Sequence, residues 1–360
     1  MRFPYLRLAD LCSMTTGKLD SNAAIQYGEY PFFTCARETY KINNYAFDTE
    51  AVLLGGNNAN GIFPLKYYYG KFNAYQRTYI IESIDQNILL TRYLFYALKP
   101  ALSHFQNASI GATTQYLTKS ILDNFKIKVP DLNSQKAIVN ILSKYDDLIE
   151  NNRRRIELLE RSARLLYKEW FVRLRFPGHE HTPIIDGIPE GWERLKLGEV
   201  LTLQRGFDLP SAKRTHGQYP IFASTGINGY HEKAKVQAPG IVTGRSGSLG
   251  KVMYIAEDFW PLNTTLYVKD FIKVDAVFAL HLLENLHLEQ YNAGAAVPTL
   301  NRNDIHKIKV LCPSCTLKSL FLAFANPIYT QIHFLDRYNQ KLKQARDILL
   351  PKLMNGEIEV

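Results

Sequence analysis

A stripe of regularly spaced residues between positions 133 and 172 constrains the fold of this chain more than any other feature. Its positions advance alternately by four and three residues, which is the spacing of a coiled-coil seam on one face of an α-helix. The stripe consists of Ile138, Leu142, Tyr145, Ile149, Asn152, Ile156, Leu159, Ala163, Leu166 and Trp170. About 40 helical residues at 1.5 Å each extend roughly 60 Å. A helix of that length needs a partner helix to cover its apolar face.

The end of the chain carries a second stripe with the same spacing. Adding 183 to each position of the first stripe gives Phe321, Ala325, Ile328, Ile332, Leu335, Asn339, Leu342, Arg346, Leu349 and Leu353. Most of these residues are apolar, and polar seam residues such as Asn152 and Asn339 can fix the register at some cost in stability. We therefore predict two long helices that pair through this seam. Two unrelated amphipathic helices are the alternative.

The rest of the chain repeats together with the two helices. An offset of 189 relates nine identical pairs: Leu6 and Leu195, Leu8 and Leu197, Gly17 and Gly206, Gly28 and Gly217, Tyr30 and Tyr219, Pro31 and Pro220, Phe33 and Phe222, Gly55 and Gly244, and Gly61 and Gly250. The offset then falls to 183 and pairs Phe95 with Phe278, Gly111 with Gly294, Lys126 with Lys309 and Pro130 with Pro313. The chain is one unit written twice, each copy a globular domain followed by a long helix.

The repeat also suggests domain bounds. We predict a first globular domain over 1–130, a first long helix over 131–175 and a linker over 176–192 that is rich in proline and glycine. A second globular domain follows over 193–313, and a second long helix with the C-terminal tail occupies 314–360. These lengths suit two domains of ordinary size.

Each globular domain mixes strand-like and helix-like segments, so the predicted fold class is α/β. Predicted strands lie at 30–34, 51–54, 78–82, 125–129, 219–223, 240–243, 265–268 and 307–311, and predicted helices at 87–98 and 274–288. Clusters of glycine and asparagine separate the strands at Gly55, Gly56, Asn57, Asn58, Asn60, Gly61, Gly244, Gly247 and Gly250. Such clusters predict loops that need positive φ.

The charge balance favours a polyanionic partner. The formal net charge is +9, the calculated pI is about 9.1, and basic residues are dense along the first long helix around 153–168. Such a run is also compatible with an ordinary solvated helix face. The chain has no run of eighteen apolar residues and no signal-peptide pattern at its start. We therefore expect a cytoplasmic protein with no membrane segment.

Three short motifs suggest chemistry that their details do not support. The glycine cluster ending at Lys251 resembles a phosphate loop, but its spacing is wrong and valine follows the lysine. The pair Cys312 and Cys315 lacks the second pair that a zinc site needs, and buried thiols are the favoured interpretation. Residues 326–329 read NPIY, close to the Asn-Pro-Pro-aromatic motif of amino-methyltransferases but with isoleucine for the second proline. Pro327 is instead expected to start or kink the second helix.

No catalytic residues, metal site or cofactor site of this chain are predicted, because no constellation of acid, base and nucleophile has a defensible spacing. Loop residues with base-reading or phosphate-binding side chains are the candidates for function, since arginine suits guanine and asparagine or glutamine suits adenine. The candidates are Arg37, Asn57, Asn58, Lys71, Gln76, Arg77, Gln115, Tyr116, Lys119, Arg205, Lys213, Arg214, Arg245, Ser246, Ser248, Lys251 and Arg302.

Three stretches resemble a known family. They are KEWFVRLRFPGHE from Lys168 to Glu180, IPEGWERLKLGEV from Ile188 to Val200, and LLPKLMNGEIEV from Leu349 to Val360. In this order they are similar to the DNA-specificity subunits of Type I restriction-modification enzymes. The chain departs from that pattern at the start of each long helix, where the usual glutamate-glutamine pair is Ser134-Gln135 and Leu317-Lys318.

The resemblance implies a subunit without catalysis of its own. Each globular domain would be a target-recognition domain that reads one half of a bipartite sequence in double-stranded DNA. The two domains would be related by pseudo-twofold symmetry and separated by the two helices, paired antiparallel. Such subunits dock two modification subunits, which use S-adenosylmethionine, and a restriction subunit. The alternatives are an autonomous DNA-binding regulator or decoy of the same fold, an N6-adenine methyltransferase acting through the NPIY segment, or a coiled-coil scaffold.

Overall fold

The computed structural model of the chain describes residues 3–59, 61–111, 114–294 and 296–360. Asn60, which belongs to the first predicted loop cluster, lies outside the described residues. The chain divides into two compact units. The first unit comprises Met1–Asn151 and Asn339–Val360, and the second comprises Asn152–Tyr338. Each unit therefore contains one globular part and a stretch of each long helix.

The first unit is built on one mixed sheet. Its strands are β1 (Tyr5–Arg7), β2 (Cys12–Thr16), β3 (Tyr30–Phe33), β4 (Tyr40–Ile42), β5 (Phe47–Gly55), β6 (Asn57–Asn58), β7 (Leu65–Ala74), β8 (Thr78–Ser83), β9 (Gln115–Tyr116) and β10 (Lys126–Lys128). Its helices are α1 (Leu8–Leu11), α2 (Thr91–Leu98), α3 (Leu102–Ala108), α4 (Lys119–Asn124) and α5 (Leu132–Tyr167), the last of which continues into the second unit. The main sheet has the order β2-β8-β5-β7-β3-β4.

The core of the first unit forms where this sheet meets the helices. Val52 and Leu54 of β5 are fully buried together with Tyr93 of α2, and the alternate residues Ala51 and Leu53 are buried in a second cluster on the other face of the sheet. Ile138 of α5 and Leu353 near the C-terminus belong to the cluster of Val52 and Leu54. The long helices therefore complete this core.

The second unit has the same kinds of elements. Its strands are β11 (Ile184–Ile185), β12 (Ile188–Pro189), β13 (Glu193–Lys196), β14 (Leu201–Arg205), β15 (Tyr219–Ala223), β16 (Gly226–His231), β17 (Gly240–Gly244), β18 (Val252–Ile255), β19 (Trp260–Pro261), β20 (Thr265–Phe271) and β21 (Lys309–Cys312). Its helices are α6 (Leu197–Val200), α7 (Ala276–Asn285), α8 (Arg302–His306) and α9 (Cys315–Asn355), the last of which continues into the first unit. The larger sheet has the order β14-β20-β17-β18, and a smaller one has β16-β15-β19.

The predicted strands and helices are confirmed in both copies, although β5 and β20 are longer than predicted. The expected positive φ is confirmed at Gly61, Gly247 and Gly250 and is wrong at the other loop glycines, Gly55, Gly56 and Gly244. At Gly244 a side chain is excluded by close approach instead, because a Cβ atom would lie 1.8 Å from the Ser248 carbonyl oxygen.

The repeat detected in the sequence recurs in the backbone hydrogen bonds. The Leu8 amide donates to the Phe125 carbonyl oxygen at 2.8 Å, and the Leu197 amide donates to Ile308 at the same distance. These two pairs obey the offsets of 189 and 183 found in the sequence. The two copies therefore share a hydrogen-bonded framework as well as residue identities.

A second pair of bonds shows that the offset falls in two steps. The Tyr75 amide donates to Phe33 at 2.9 Å, and the Leu262 amide donates to Phe222 at 2.8 Å. Phe33 and Phe222 are 189 residues apart, whereas Tyr75 and Leu262 are 187 apart. Two of the six missing residues are thus lost before Tyr75 and the other four after it.

The predicted linker is part of the second unit's fold. Phe176 and Trp192 belong to the hydrophobic core of that unit, their rings lie 5.3 Å apart, and β11 pairs with β12 between them. Pairing and ring burial hold this proline-rich segment in place.

The seam positions of both long helices are shielded from solvent. Helix α5 is followed by a π-helical turn at Lys168–Val172. All seam residues of both stripes are buried or half-buried, including Asn152 and Asn339. Within the first unit, Arg346 of α9 forms an ion pair with Asp146 of α5.

The expectation that Pro327 starts the second helix is wrong, whereas a kink at Pro327 stays a prediction. Helix α9 begins at Cys315 and continues through Pro327 to Asn355. Proline removes one backbone donor from a helix interior, but Ala325, Tyr329 and Ile332 are buried in the second unit's core on the same helix. Tertiary packing therefore outweighs the local cost. Within the described part of the chain, no helix combines the length and apolar character needed to cross a membrane.

Candidate nucleic-acid interface

The candidate residues of the first unit gather where β5 passes into β6. There the Gly56 amide donates to the Arg77 carbonyl oxygen at 2.7 Å, and the Leu117 amide donates to Gly56 at 2.9 Å. The short strand β6 pairs Asn57 with Tyr116 of β9. These bonds join three separate loops into one surface. We call residues 55–58, 76–77 and 115–116 the first loop edge.

The side chains of the first loop edge are base-reading types held on this frame. The Arg77 guanidinium carbon lies 5.2 Å from the centre of the Tyr116 ring, a cation–π contact that orients the arginine. Gln76 is exposed, and its backbone amide donates to Leu19 at 2.9 Å. Asn57 lines a cleft beside Tyr75. Its Oδ1 atom is buried without a hydrogen-bond partner among the described residues.

Gln115 differs from its neighbours because its side chain is engaged in its own loop. Its Nε2 atom donates to the Gly111 carbonyl oxygen at 2.7 Å, and its Oε1 atom accepts from Ser109 at 2.9 Å. Asn58, the partner of Gln115 in the β6–β9 pairing, is half-buried. Gln115 would therefore have to give up local hydrogen bonds to contact a ligand.

The second unit repeats this frame with other side chains. The Arg245 amide donates to the Thr264 carbonyl oxygen at 2.8 Å, and the Leu300 amide donates to Arg245 at the same distance. Ser246 pairs with Thr299 as an isolated antiparallel bridge. We call residues 244–247, 263–264 and 298–299 the second loop edge.

The side chains of the second loop edge form a chain of polar contacts. Arg245 donates from Nε to the Asn263 carbonyl oxygen at 2.9 Å. The Asn263 amide donates to the Asp208 carboxylate, which lies 3.6 Å from a guanidinium nitrogen of Arg205. Two candidates, Arg205 and Arg245, are therefore linked through Asp208 and Asn263.

The other candidates of the first unit lie at different distances from this edge. Arg37 is exposed and follows Ala36, which lines the cleft beside Asn57. Lys119 begins α4, three residues after Tyr116. Lys71 is not part of the edge, since it pairs with Asp48 near the start of β5 and its Nζ atom lies 4.7 Å from the Tyr45 ring centre. The neighbouring Tyr45 raises the pKa of Lys71.

The remaining candidates of the second unit have mixed surroundings. Arg214 is engaged in structure, because its Nη1 atom donates to both the carbonyl oxygen and Oδ1 of Asn228 at 2.9 Å. Ser248 and Lys251 are exposed in the loop that follows Arg245, and the lysine donates to the Thr225 carbonyl oxygen at 3.3 Å. Lys213 and Arg302 are exposed at the surface of this unit.

Residues that the sequence reasoning missed include Lys66, Asp208 and Asn263. Lys66 is half-buried and donates to the Glu38 carbonyl oxygen at 2.6 Å. Burial lowers its pKa to about 8, against the opposing charge of Glu38. Asn263 was not predicted because it matches Gln76 at an offset of 187, between the offsets of 189 and 183 that define the repeat elsewhere. Three identities mark that offset in the sequence: Tyr67 and Tyr254, Phe72 and Phe259, and Thr78 and Thr265.

Comparison with known proteins assigns the family. The model of the Type I restriction modification DNA specificity domain matches residues 3–161 and 189–320. The chain belongs to this family. It is 40% identical over 238 residues to the Type I restriction enzyme EcoDI specificity subunit of Escherichia coli, covering 60% of this chain and 51% of that protein. The match thus spans about half the length of this relative.

Two further comparisons are consistent with this family assignment. The MjaIX specificity subunit of Methanocaldococcus jannaschii is 26% identical over 310 residues, which cover 77% of this chain and 71% of that protein. The crystal structure of a Type I restriction-modification S subunit from M. genitalium superposes with a TM-score of 0.62 at 20% identity, over 98% of this chain and 96% of that one. The latter likeness shows that the two chains share a fold.

The second position of the glutamate-glutamine pair is buried in both copies, where Gln135 keeps the family residue and Lys318 departs from it. Gln135 donates from Nε2 to the carbonyl oxygens of Ile88 and Pro130 at 2.8 and 2.9 Å, and its Oε1 atom accepts from the Leu90 amide at 2.9 Å. Lys318 lies 183 residues later and donates to the Lys273 carbonyl oxygen at 2.6 Å. Both side chains tie the start of a long helix to the globular part of its own unit.

The NPIY segment does not have the environment of a methyltransferase motif. It lies inside helix α9 rather than after a strand, and the Tyr329 hydroxyl is buried 3.1 Å from Nε2 of His281. The tyrosine therefore packs inside the second unit and is not presented to a substrate.

Proposed function

We propose that this chain is the non-catalytic, DNA-binding specificity subunit of a cytoplasmic Type I restriction-modification complex. In this proposal, each loop edge reads one half of a bipartite DNA target. The observation that carries it is that one hydrogen-bonded frame displays different side chains in the two copies. Tyr116 in the first frame corresponds to Thr299 in the second, and Asn57 corresponds to Ser246. A common backbone with different donors and acceptors suits a reader of two different half-sites.

The chemistry of the loop edges matches base recognition. Arginine can bind guanine through two hydrogen bonds, and asparagine or glutamine can bind adenine in the same way. Arg77 and Arg245 are each oriented by a neighbour, through the Tyr116 ring or the Asn263 carbonyl oxygen. Exposed basic residues such as Lys119 and Arg302 are suited to phosphates, which position a protein on DNA without reading its sequence.

The outer faces of the long helices suit docking of partner subunits. Within the second unit, apolar side chains stand exposed on both helices: Leu158 and Leu165 on α5, and Phe324, Phe334 and Tyr338 on α9. A contiguous exposed apolar patch is typical of a protein interaction surface, and these side chains supply its apolar groups in this proposal. We assign this face to the modification subunits, two per complex, which would bind S-adenosylmethionine and carry out methyl transfer. A restriction subunit would complete the complex.

The proposal is tested by mapping methylated adenines in the host genome with and without the gene for this chain. We expect that deletion of the gene removes a bipartite methylated motif with a fixed gap. Replacing residues 1–130 by the same domain of another family member should change one half of the motif. A change in both halves together would contradict the modular assignment. An unchanged methylome combined with salt-sensitive DNA binding would instead identify an autonomous regulator or decoy.

A further inference from the structure

One pair of equivalent positions in the two loop edges carries the same chemical group. Tyr75 and Leu262 are equivalent because each donates to the matching residue of β3 or β15. The next residue along the chain is Gln76 in the first copy and Asn263 in the second. Both therefore place a carboxamide at the same point of the frame, although the neighbouring positions differ.

Each carboxamide stands on a fixed backbone. The Gln76 amide donates to Leu19 at 2.9 Å, and its side chain is exposed. The Asn263 carbonyl oxygen accepts from Arg245 Nε at 2.9 Å. The Asn263 side chain is also oriented, because Nδ2 donates one hydrogen to the Asp208 carboxylate. Within the described part of the chain, its amide oxygen and second amide hydrogen make no other hydrogen bond, so they can accept from and donate to a ligand.

We propose that Gln76 and Asn263 are matching specificity-determining residues, each contacting the adenine of one A·T base pair in its own half-site. This inference rests on the proposed function. A carboxamide can accept from adenine N6 and donate to N7, a pattern that no other base presents in the major groove. Asp208 is a positioning residue, since it contacts Asn263 and not the base. The two half-sites would then share one A·T pair at the corresponding place and differ elsewhere.

The test measures base discrimination by the complete complex. The full chain is assembled with its modification subunits and competed against duplexes in which each base pair of the methylated motif is replaced in turn. In N263A, we expect discrimination at one A·T pair of one half-site to fall about tenfold to a hundredfold. In Q76A the same loss should occur in the other half-site. Q237A removes an exposed carboxamide elsewhere in the second unit and should keep the wild-type profile.

A change of preference gives a stricter version of the test. Gln76→Glu keeps the size of the side chain but can only accept, so preference at the same base pair should move from A·T toward C·G, whose N4 amine donates. The inference is overturned if Q76E keeps the A·T preference, or if N263A leaves both half-sites unchanged or weakens both equally. Wild-type complex without a bipartite preference would instead refute the proposed function itself.

Discussion

Arg346 of α9 forms an ion pair with Asp146 of α5 inside the first unit. The same carboxylate accepts a hydrogen bond from the Tyr96 hydroxyl at 2.8 Å and lies 3.5 Å from Lys99. Three elements are thus joined at one acidic group. Because these groups are largely buried, removing the charge leaves two cations with less compensation.

Asp146→Asn should therefore destabilise the first unit by about 1–3 kcal/mol, less than a fully buried pair and more than a surface one. The measurement is the urea dependence of the circular dichroism of the full chain. Asp147→Asn is the matched control, because Asp147 pairs with Arg92 at 2.6 Å at a solvent-exposed position. It should cost less than about 1 kcal/mol. Equal losses in the two variants would contradict the role given to Asp146.

The contribution of Asp146 should depend on pH. Burial alone would raise its pKa, but Lys99, Arg346 and Tyr96 together hold the pKa below its usual value of 3.8. A depressed folded-state pKa stabilises the fold above the unfolded-state pKa, and this stability is lost as pH falls through the folded-state value. The difference in unfolding free energy between wild type and D146N should be constant from about pH 7 to 5 and shrink below about pH 4. A difference that persists at about pH 2 would show that packing is responsible.

Replacing the buried polar residue at the start of each long helix should lower the free energy of unfolding by different amounts. Gln135→Leu leaves two carbonyl oxygens and one amide without their hydrogen-bond partner, whereas Lys318→Leu releases the Lys273 carbonyl oxygen. An unpaired buried polar group costs about 1–3 kcal/mol. We expect a loss of about 3 kcal/mol or more for Q135L and about 1–3 kcal/mol for K318L, measured by thermal denaturation. A larger loss for K318L would contradict this ranking.

Gly206, one of the glycines that the two copies share, should be required for backbone packing. A Cβ atom at Gly206 would lie 2.2 Å from the Leu262 carbonyl oxygen, so the backbone would have to move. Gly206→Ala should cost about 3 kcal/mol or more. Gly178→Ala is the control in the same unit, since its Cβ meets nothing within 4 Å and its φ of +88° costs only about 1–2 kcal/mol. Similar denaturation midpoints for the two variants would refute the steric explanation.

The sequence predicted the elements that depend on local periodicity and repetition. The two seam stripes, from Ile138 to Trp170 and from Phe321 to Leu353, follow from spacing alone, as do the strands around Tyr30 and Tyr219. Burial on one face imposes a period on the residues. The sequence could not exclude a helix start at Pro327, since the cost of proline is local and the compensation comes from distant packing. The sequence could not show that Phe176 and Trp192 of the predicted linker are core residues of the second unit.

The candidate interface was predicted less completely than the fold. Residue type alone selected Arg77 and Arg245, but it could not distinguish them from Arg214, whose donors are engaged by Asn228. Asn263 was missed because the offset of 187 that matches it to Gln76 applies to one short stretch of the repeat, where three scattered residue pairs are identical. Hydrogen bonds between sequence-distant loops decide which side chains share a surface, and single-sequence periodicity contains no information about them.

The exposed face of the long helices should be needed for assembly and not for stability. The Phe334 side chain is 63% exposed and Leu158 is 62% exposed, so neither supports the core of the second unit. Replacing each by lysine should weaken binding of the modification subunits by tenfold or more, since exposed aromatic and aliphatic anchors contribute about 1–4 kcal/mol at interfaces. The measurement is co-purification and calorimetric titration with the modification subunit.

Two controls separate docking from folding in that experiment. The thermal midpoint of each variant should stay within about 2 °C of wild type, because a surface substitution costs at most about 0.5 kcal/mol. Lys341→Glu changes an exposed residue of α9 without removing an apolar group, and it should bind as wild type does. If F334K and L158K bind the modification subunit normally, the docking face lies elsewhere on the chain. Loss of binding with an unchanged thermal midpoint would assign these apolar groups to the interface. An exposed side chain that does not stabilise the fold can affect binding only through contact with the partner.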